Sequence, residues 1–342
     1  MGLKISELVP KKEIAWPDLA NKKIVVDASQ MIYQFASSIR QRDGNSLMDS
    51  NGNITSHLVG IFSRVSNLMN KNIKLCFVFD GKPPLLKIKE QEERALRKRI
   101  AAERLEKARE KEDYEAVMKY SKQTVRLTRD MVDEAKELIK HLGLPVIQAP
   151  SEAEAQASYM CKKGDVWAVA SSDYDCLIYG TPRLVPNLTL STRKKLPSGT
   201  YVSIHPELVE LDDVLNHLGI DQDQLLAIAI LTGTDFNVGG IKGVGPKTAL
   251  RLVKDFKSFD RIFKEVKADF NWKQVYAVFK SMPVMLNYQL RWSNIDEGKI
   301  RKLLIDKHDF SEERVNKTLD SLKRYKENKK QKGLSDFFGK KR

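Results

Sequence analysis

The sequence holds little of what extracellular scaffolds and thiolate metal sites are built from. Its 342 residues include only three cysteines, Cys76, Cys161 and Cys176, an odd count with no C-x-x-C pair. That argues against a disulfide framework or a zinc–thiolate centre. It suits a reducing compartment in which all three are small core residues. The five histidines form no H-x-x-x-H pair, so helix-borne zinc chemistry has no support. Long apolar runs are missing too: "LLAIAIL" (225–231) is far too short to cross a bilayer, and no signal peptide is read at the start. The opening "MGLKIS" fits the N-myristoylation pattern, but no second anchor accompanies it, and no membrane partner is expected. No internal repeat is visible.

What is abundant is charge. Lys and Arg number 59 against 45 Asp and Glu, a formal net charge of +14, which favours a polyanionic partner. Hydrophobic residues at 42% are enough for a real core.

Strand and helix patterns alternate along the first half. "KKIVVDAS" (22–29) reads as a strand ending on Asp27 and is followed by a helix from about Met31 to Arg40. "ITSHLVGIFSRVSNLMNKNI" reads as an amphipathic helix leading into the strand "IKLCFVFDGKPP", which stops at Asp80. After residue 129 the alternation returns: helix "RDMVDEAKELIKHLG", strand "LPVIQA", a helix after Ser151, and the strand in "AVASSDYDCLIYG" (168–180). The expected fold class is α/β, a mixed, mainly parallel central sheet flanked by helices, with ligands at the carboxyl ends of the strands. Between them, residues 87–129 are charge-dense and free of Gly and Pro, so they read as helix that cannot bury much of itself. "RLVPNLTLSTRKKLPSGTYVSI" reads as a hairpin with a basic tip. The remainder is mostly helical, with a polar, basic tail from about Lys323.

Acids recur where apolar elements end: Asp27, Asp80, Glu152, Glu154, Asp173, Asp175 and, after "QLLAIAILTG", Asp235. Gathered in one cleft, so many carboxylates cannot all stay ionised without cations. All-oxygen donors suit Mg²⁺ or Mn²⁺, and two such ions about 4 Å apart would serve phosphodiester hydrolysis. Each acid also has a plainer reading. Ser151 and Glu154 fit an S-x-x-E capping box, and Asp173 and Asp175 fit turn formers. Glu152 and Glu154 lie about 200° apart on an ideal helix, so both reach one ion only from a first turn or through water.

"GGIKGVGPKTALRLVKDF" (239–256) places Gly243 and Gly245 before Pro246 and a helix, a geometry for holding a phosphate at a helix N-terminus. The third glycine of a dinucleotide fingerprint and the G-K-[ST] of a P-loop are absent. A helix–hairpin–helix on duplex DNA fits, with a plain tight turn as the alternative. Lys87 and Arg94, seven residues apart, share a helix face within about 20°. They could project charge toward a phosphate, or belong to a solvated helix laced by pairs such as Glu90–Arg94 and Glu93–Arg97. In the tail, "QKGLSDFF" (331–338) puts Leu334, Phe337 and Phe338 in a polar context, a plug for a partner's pocket or for the protein's own body.

Together "VVDASQMIYQF", "TSHLVGIFSR", "FVFDGKPP", "QAPSEAEAQASYM", "ASSDYDCLIYG", "LTGTDF" and "GIKGVGPKTAL" resemble the flap endonucleases, structure-specific 5′ nucleases, and the length and tail resemble archaeal members. The resemblance implies a PIN-like 5′ nuclease fold and Mg²⁺-dependent removal of 5′ flaps in replication and repair, with 5′ exonuclease activity. Asp27, Asp80, Glu152 and Glu154 would serve the first metal, and Asp173, Asp175 and Asp235 the second, Mn²⁺ substituting for Mg²⁺. Lys87 and Arg94 would stabilise charge on the phosphate. Tyr33 would stack on a base, Arg40 and Arg64 would hold phosphates, and Gly233, Gly243 and Gly245 would meet DNA, with a K⁺ ion at the hairpin. Gln331, Leu334, Phe337 and Phe338 would dock on a PCNA-type sliding clamp. The implied division is a nuclease region in two parts (1–98 and 131–258, the second with the hairpin element 239–256), a helical arch (99–130), a helical region (259–328) and a clamp-binding tail (329–342). A monomer on branched DNA is expected, cytoplasmic and nucleoid-associated if archaeal, nuclear if eukaryotic. The rival is a non-catalytic clamp adaptor that binds branched DNA, which has no need of seven such carboxylates.

Overall fold

A computed structural model describes residues 5–324 apart from 42, 190–192, 196–199, 204 and 257. The tail residues Gln331, Leu334, Phe337 and Phe338 lie outside the described residues.

The strands are β1 (Lys12–Glu13), β2 (Lys23–Asp27), β3 (Lys74–Phe79), β4 (Val146–Gln148), β5 (Ala168–Ala170), β6 (Arg183–Leu184), β7 (Arg193–Lys195), β8 (Tyr201–Ser203) and β9 (Glu207–Glu210). Seven form one sheet in the order β1-β9-β6-β5-β2-β3-β4. The run β6-β5-β2-β3-β4 is parallel, and β9 and β1 add on antiparallel. This is the mixed, mainly parallel sheet expected from the alternation. Val25 sits between Cys76 and Val169, and β2 is the centre of the five-strand parallel run.

Strand side chains alternate between two cores. Val25, Cys76, Val78, Ile147 and Val169 face one; Ile24, Val26, Leu75, Phe77, Phe79, Ala168 and Ala170 face the other. In β3 every residue from Leu75 to Phe79 is buried. A strand covered on both faces therefore reads as an unbroken apolar run. At roughly 1.5–3 kcal/mol for each large side chain buried, this one strand contributes about as much as a domain's whole margin of stability. The first core is closed by the helices Ala153–Lys162, Leu211–Leu218, Gln222–Thr232 and Pro246–Asp255. The second is closed by Ala28–Ser38, by the helical segment 56–70, by Arg129–His141 and by the C-terminal helical segments.

Some expected boundaries move. The 98/99 boundary falls inside a single helix, Ile88–Glu110, because no Gly, Pro or cap interrupts it there. The 130/131 boundary falls inside Arg129–His141, which begins where the Thr128 side chain accepts from the Met131 N–H. The helix Ile88–Glu110 folds back on Tyr114–Gln123, and Leu105, Ala108 and Val117 make a small apolar seam between them. The stretch expected as one hairpin divides. Buried Leu184 inserts between Val169 and Val209 in the main sheet, and only β7 and β8 form the two-stranded hairpin.

Candidate active site

Four parallel strands deliver their carboxyl ends, or the turns after them, to one edge of the sheet, and the acids collect there. Asp27 closes β2 and is the N-cap of the next helix, its Oδ1 accepting from the Gln30 N–H at 3.0 Å. Asp80 follows β3, and its Oδ1 accepts from the Ala153 N–H at 2.8 Å, tying it to the first turn of the helix that carries Glu154. The crossing here is tight: the Gly81 N–H donates to the Ser151 carbonyl at 2.6 Å, and a Cβ on Gly81 would collide with the Ala149 carbonyl oxygen. Only glycine allows β3 to pass so close to the turn that presents Glu152.

The capping-box alternative fails. Glu152, not Ser151, is the N-cap residue, while the Ser151 hydroxyl donates to the Lys82 carbonyl at 3.0 Å, locking the crossing strands instead. Because Glu152 has extended backbone angles (φ −75°, ψ 131°), the helical-wheel separation from Glu154 does not apply to it. The turn reading of Asp173 holds, since its Oδ1 accepts from the Asp175 N–H at 3.0 Å. Asp235 follows the apolar helix Gln222–Thr232 in a loop closed by Asn237, which accepts from the Thr234 hydroxyl at 2.7 Å and donates to the Ile230 carbonyl at 2.7 Å.

Lys87 and Arg94 reach into this cluster. Lys87 pairs with Glu152 and lies 3.2 Å from Asp235; Arg94 pairs with Glu90 and lies 3.0 Å from Asp235. The Glu90–Arg94 pair exists, but it orients Arg94 toward Asp235 as well as lacing the helix. Glu90, buried against Arg94 and 3.5 Å from Arg97, is a site residue that sequence reasoning treated only as a surface partner.

Two cations against seven carboxylates leave a large negative excess, and the proton affinities register it. Burial, and next Asp80, push the Asp27 carboxyl from its ordinary 3.8 up to about 8, against the pull of the Gln30 N–H. Burial, then Asp173, Asp175 and Asp27, hold Glu154 well above its usual range. Burial raises Asp173 and Glu152 too, with Lys87 opposing the shift of Glu152. Burial alone would lower Lys87, but Glu152, Glu154 and Asp235 outweigh it and raise it. Among the described residues no group of three or more His, Cys, Asp or Glu stands ready-spaced around an ion. The acids converge, and Lys87 and Arg94 stand between them. The donor set nevertheless fits a divalent cation, being all carboxylate oxygen and strongly undercompensated in charge.

The other expected residues lie around this centre. Tyr33 is exposed, with Lys98 Nζ 5.5 Å from its ring centroid. Arg64 is half-buried in the widened turn Ile61–Val65. The Arg40 guanidinium donates to the Ser37, Gly44 and Ser121 carbonyls at 3.0, 2.9 and 2.7 Å. It pins the loop after the first helix to the helix Tyr114–Gln123, so most of its fork is engaged within the protein. Gly233 packs backbone-to-backbone on Gly240, which accounts for that glycine without DNA. Gly243 and Gly245 instead have open space where a Cβ would be, ahead of the helix Pro246–Asp255. Gln30, which sequence reasoning passed over, lies at the heart of the site. Its spacing three after an Asp N-cap was the only available signal.

Residues 4–101 match the XPG N-terminal domain and residues 143–235 the XPG I-region. The chain is 47% identical to flap endonuclease 1 of Thermococcus onnurineus over 99% of both chains. It superposes on the solved flap endonuclease-1 from Methanococcus jannaschii with a TM-score of 0.77 and 40% identity, covering 96% of this chain and 100% of that one. The catalytic core of Rad2 in complex with DNA substrate, 22% identical, shares the fold with a TM-score of 0.70, over 94% of this chain and 100% of that one.

Proposed function

Because this chain belongs to the flap endonuclease 1 family and is a structure-specific 5′ flap endonuclease, a hydrolase of phosphodiester bonds, we propose that its carboxylate cleft works with two Mg²⁺ ions on branched DNA. Asp27, Asp80, Glu152 and Glu154 would hold the first ion, and Asp173, Asp175 and Asp235 the second, with Mn²⁺ able to replace Mg²⁺. When bound, the ions supply an activated attacking water and stabilise the leaving oxygen, giving a 5′ phosphate and a 3′ hydroxyl.

The observation that carries this reading is the convergence of Lys87 and Arg94 on the same acids. Both cations touch Asp235 yet remain partly exposed, 16% and 41% for their side chains. A scissile phosphate entering there would take over part of the charge that Glu152, Glu90 and Asp235 now satisfy. Charge that grows on the phosphate oxygens in the transition state meets Lys87 and Arg94 already in place, which is where such donors act most strongly. The remaining surface supplies affinity: a net charge of +14 for backbone phosphates, the Tyr33 face for a stacked base, Arg64 for a phosphate, and Gly243–Gly245 with the following helix for the duplex. We place a K⁺ ion at that hairpin, the sliding clamp on residues 331–338 and the monomer on nucleoid DNA in the cytoplasm of an archaeal cell as parts of the same proposal. The adaptor reading is not favoured by the family to which the chain belongs.

The test uses 5′-labelled flap, nicked and blunt duplexes, each with Mg²⁺ or chelator. Release of the flap strand only with the divalent ion is expected. Cleavage that persists in chelator, or that ignores the flap, would overturn the assignment.

A further inference from the structure

The two carboxylate groups are joined by an unbroken chain of hydrogen bonds, and one side chain spans the gap. The Gln30 N–H donates to Asp27 Oδ1 at 3.0 Å. The Gln30 side-chain oxygen accepts from the Ser171 hydroxyl at 3.1 Å and from the Ser172 N–H at 2.7 Å. Ser171 Oγ in turn accepts from the Asp173 N–H at 3.1 Å, and Asp173 Oδ1 accepts from the Asp175 N–H at 3.0 Å. The Ser172 N–H can only donate, which fixes the oxygen of the Gln30 amide, not its nitrogen, toward this turn. The Ser172 hydroxyl extends the link to Asn187 Oδ1 at 3.1 Å.

β2 and β5 pair through Val26 and Ala170, the last register position before the chains diverge. Beyond that point no ladder hydrogen bond sets the distance between Asp27 and the turn bearing Asp173 and Asp175. The Gln30 amide does so instead.

We propose that Gln30, acting through Ser171, is a positioning residue that sets the spacing between the two metal-binding carboxylate groups and so the affinity for the second divalent ion. This rests on the two-ion reading of the same acids. The competing explanation, that Gln30 merely caps a helix, is separable by chemistry. The capping donor is the backbone N–H, which any residue but proline supplies, whereas the link to Ser171 and Ser172 needs the side-chain oxygen. Gln30→Ala therefore keeps the cap and removes only the spacer.

The probe is Mn²⁺ titrated into the full chain without DNA and followed by electron paramagnetic resonance, alongside the Mg²⁺ midpoint of flap cleavage and thermal unfolding in chelator. Wild type is expected to take two Mn²⁺. In Gln30→Ala the weaker affinity and the Mg²⁺ midpoint should both move about tenfold, as loss of a group that orients a metal ligand typically does. Ser171→Ala should follow, Ser171→Thr should restore binding to within about twofold, and the double Ala variant should be no worse than about the weaker single, since both break one link. Unchanged Mn²⁺ binding in Gln30→Ala, or equal binding by Ser171→Ala and Ser171→Thr, overturns the spacer. If Gln30→Ala does not fold, the Ala/Thr pair at Ser171 decides. Wild type that binds no Mn²⁺ would bring down the two-ion reading itself, a result distinct from loss of the spacer alone.

Discussion

Replacing Lys87 with methionine keeps the length of the side chain and removes its charge. In the folded protein Lys87 contacts Glu152 and stands 3.2 Å from Asp235, with 16% of its side chain exposed. At an effective dielectric of about 20, a unit charge at that separation from Asp235 gains roughly 5 kcal/mol before desolvation. Desolvation of the ammonium takes much of this back. The net cost of deleting one member of such a pair is expected near 3 kcal/mol, most of it from Glu152 and Asp235 left facing each other. Two consequences follow from one deletion. In chelator, Lys87→Met should unfold at lower urea than wild type, and excess Mg²⁺ should close much of that gap, because the two proposed ions would compensate the same two acids. On a flap substrate under single turnover, the loss of a donor aimed at the developing phosphate charge should slow cleavage by about 10²–10³-fold. Binding of the flap in Ca²⁺ should change by less than about threefold, since one phosphate contact is a small part of the electrostatic footprint. A cleavage rate near that of wild type, or a defect confined to binding, would show that Lys87 belongs only to a structural ion pair.

Other outcomes are equally specific. Asp175→Asn should bind a flap in Ca²⁺ yet cleave at least about a hundredfold more slowly; near-normal cleavage would remove Asp175 from the mechanism. The Asp27 carboxyl, raised from 3.8 to about 8, binds its proton more tightly folded than unfolded. Its contribution to stability in chelator is thus full below about pH 4 and lost as pH climbs through about 8. Ion binding, which needs the carboxylate, should then release protons at neutral pH. Calorimetry in two buffers of different ionisation enthalpy measures this release, and identical heats in both would contradict the shift. Removing residues 331–342 should leave cleavage intact without the clamp and abolish stimulation by it; surviving stimulation would place the docking segment elsewhere.

Much of the fold is legible in the sequence because local chemistry specifies it. The runs around Val25, Phe77 and Val169 are strands covered on both faces, and each is followed by an acid at the end where a parallel sheet opens. Pro246 at the first position of its helix marks a start correctly for the same reason, whereas the Asp113 cap, which divides the charge-dense stretch into two helices, went unread. The hairpin boundary was not legible. Leu184 leaves it for the main sheet because burial between Val169 and Val209 outweighs the local turn pattern, and that partner lies in another part of the chain.

Taken alone, the sequence determined the parallel sheet, the strand-end position of the acids and the basic surface, since periodicity, caps and composition act over a few residues. Only the tertiary structure decided which partners those residues have. It gave Arg40 to the Ser121 carbonyl, Glu90 to Arg94, Lys87 to Asp235, and the Gln30 amide to the turn before Asp173. Each of these contacts joins groups whose chain separation carries no local signal, except Glu90–Arg94. There the spacing was visible, and only burial in the cleft changed its meaning.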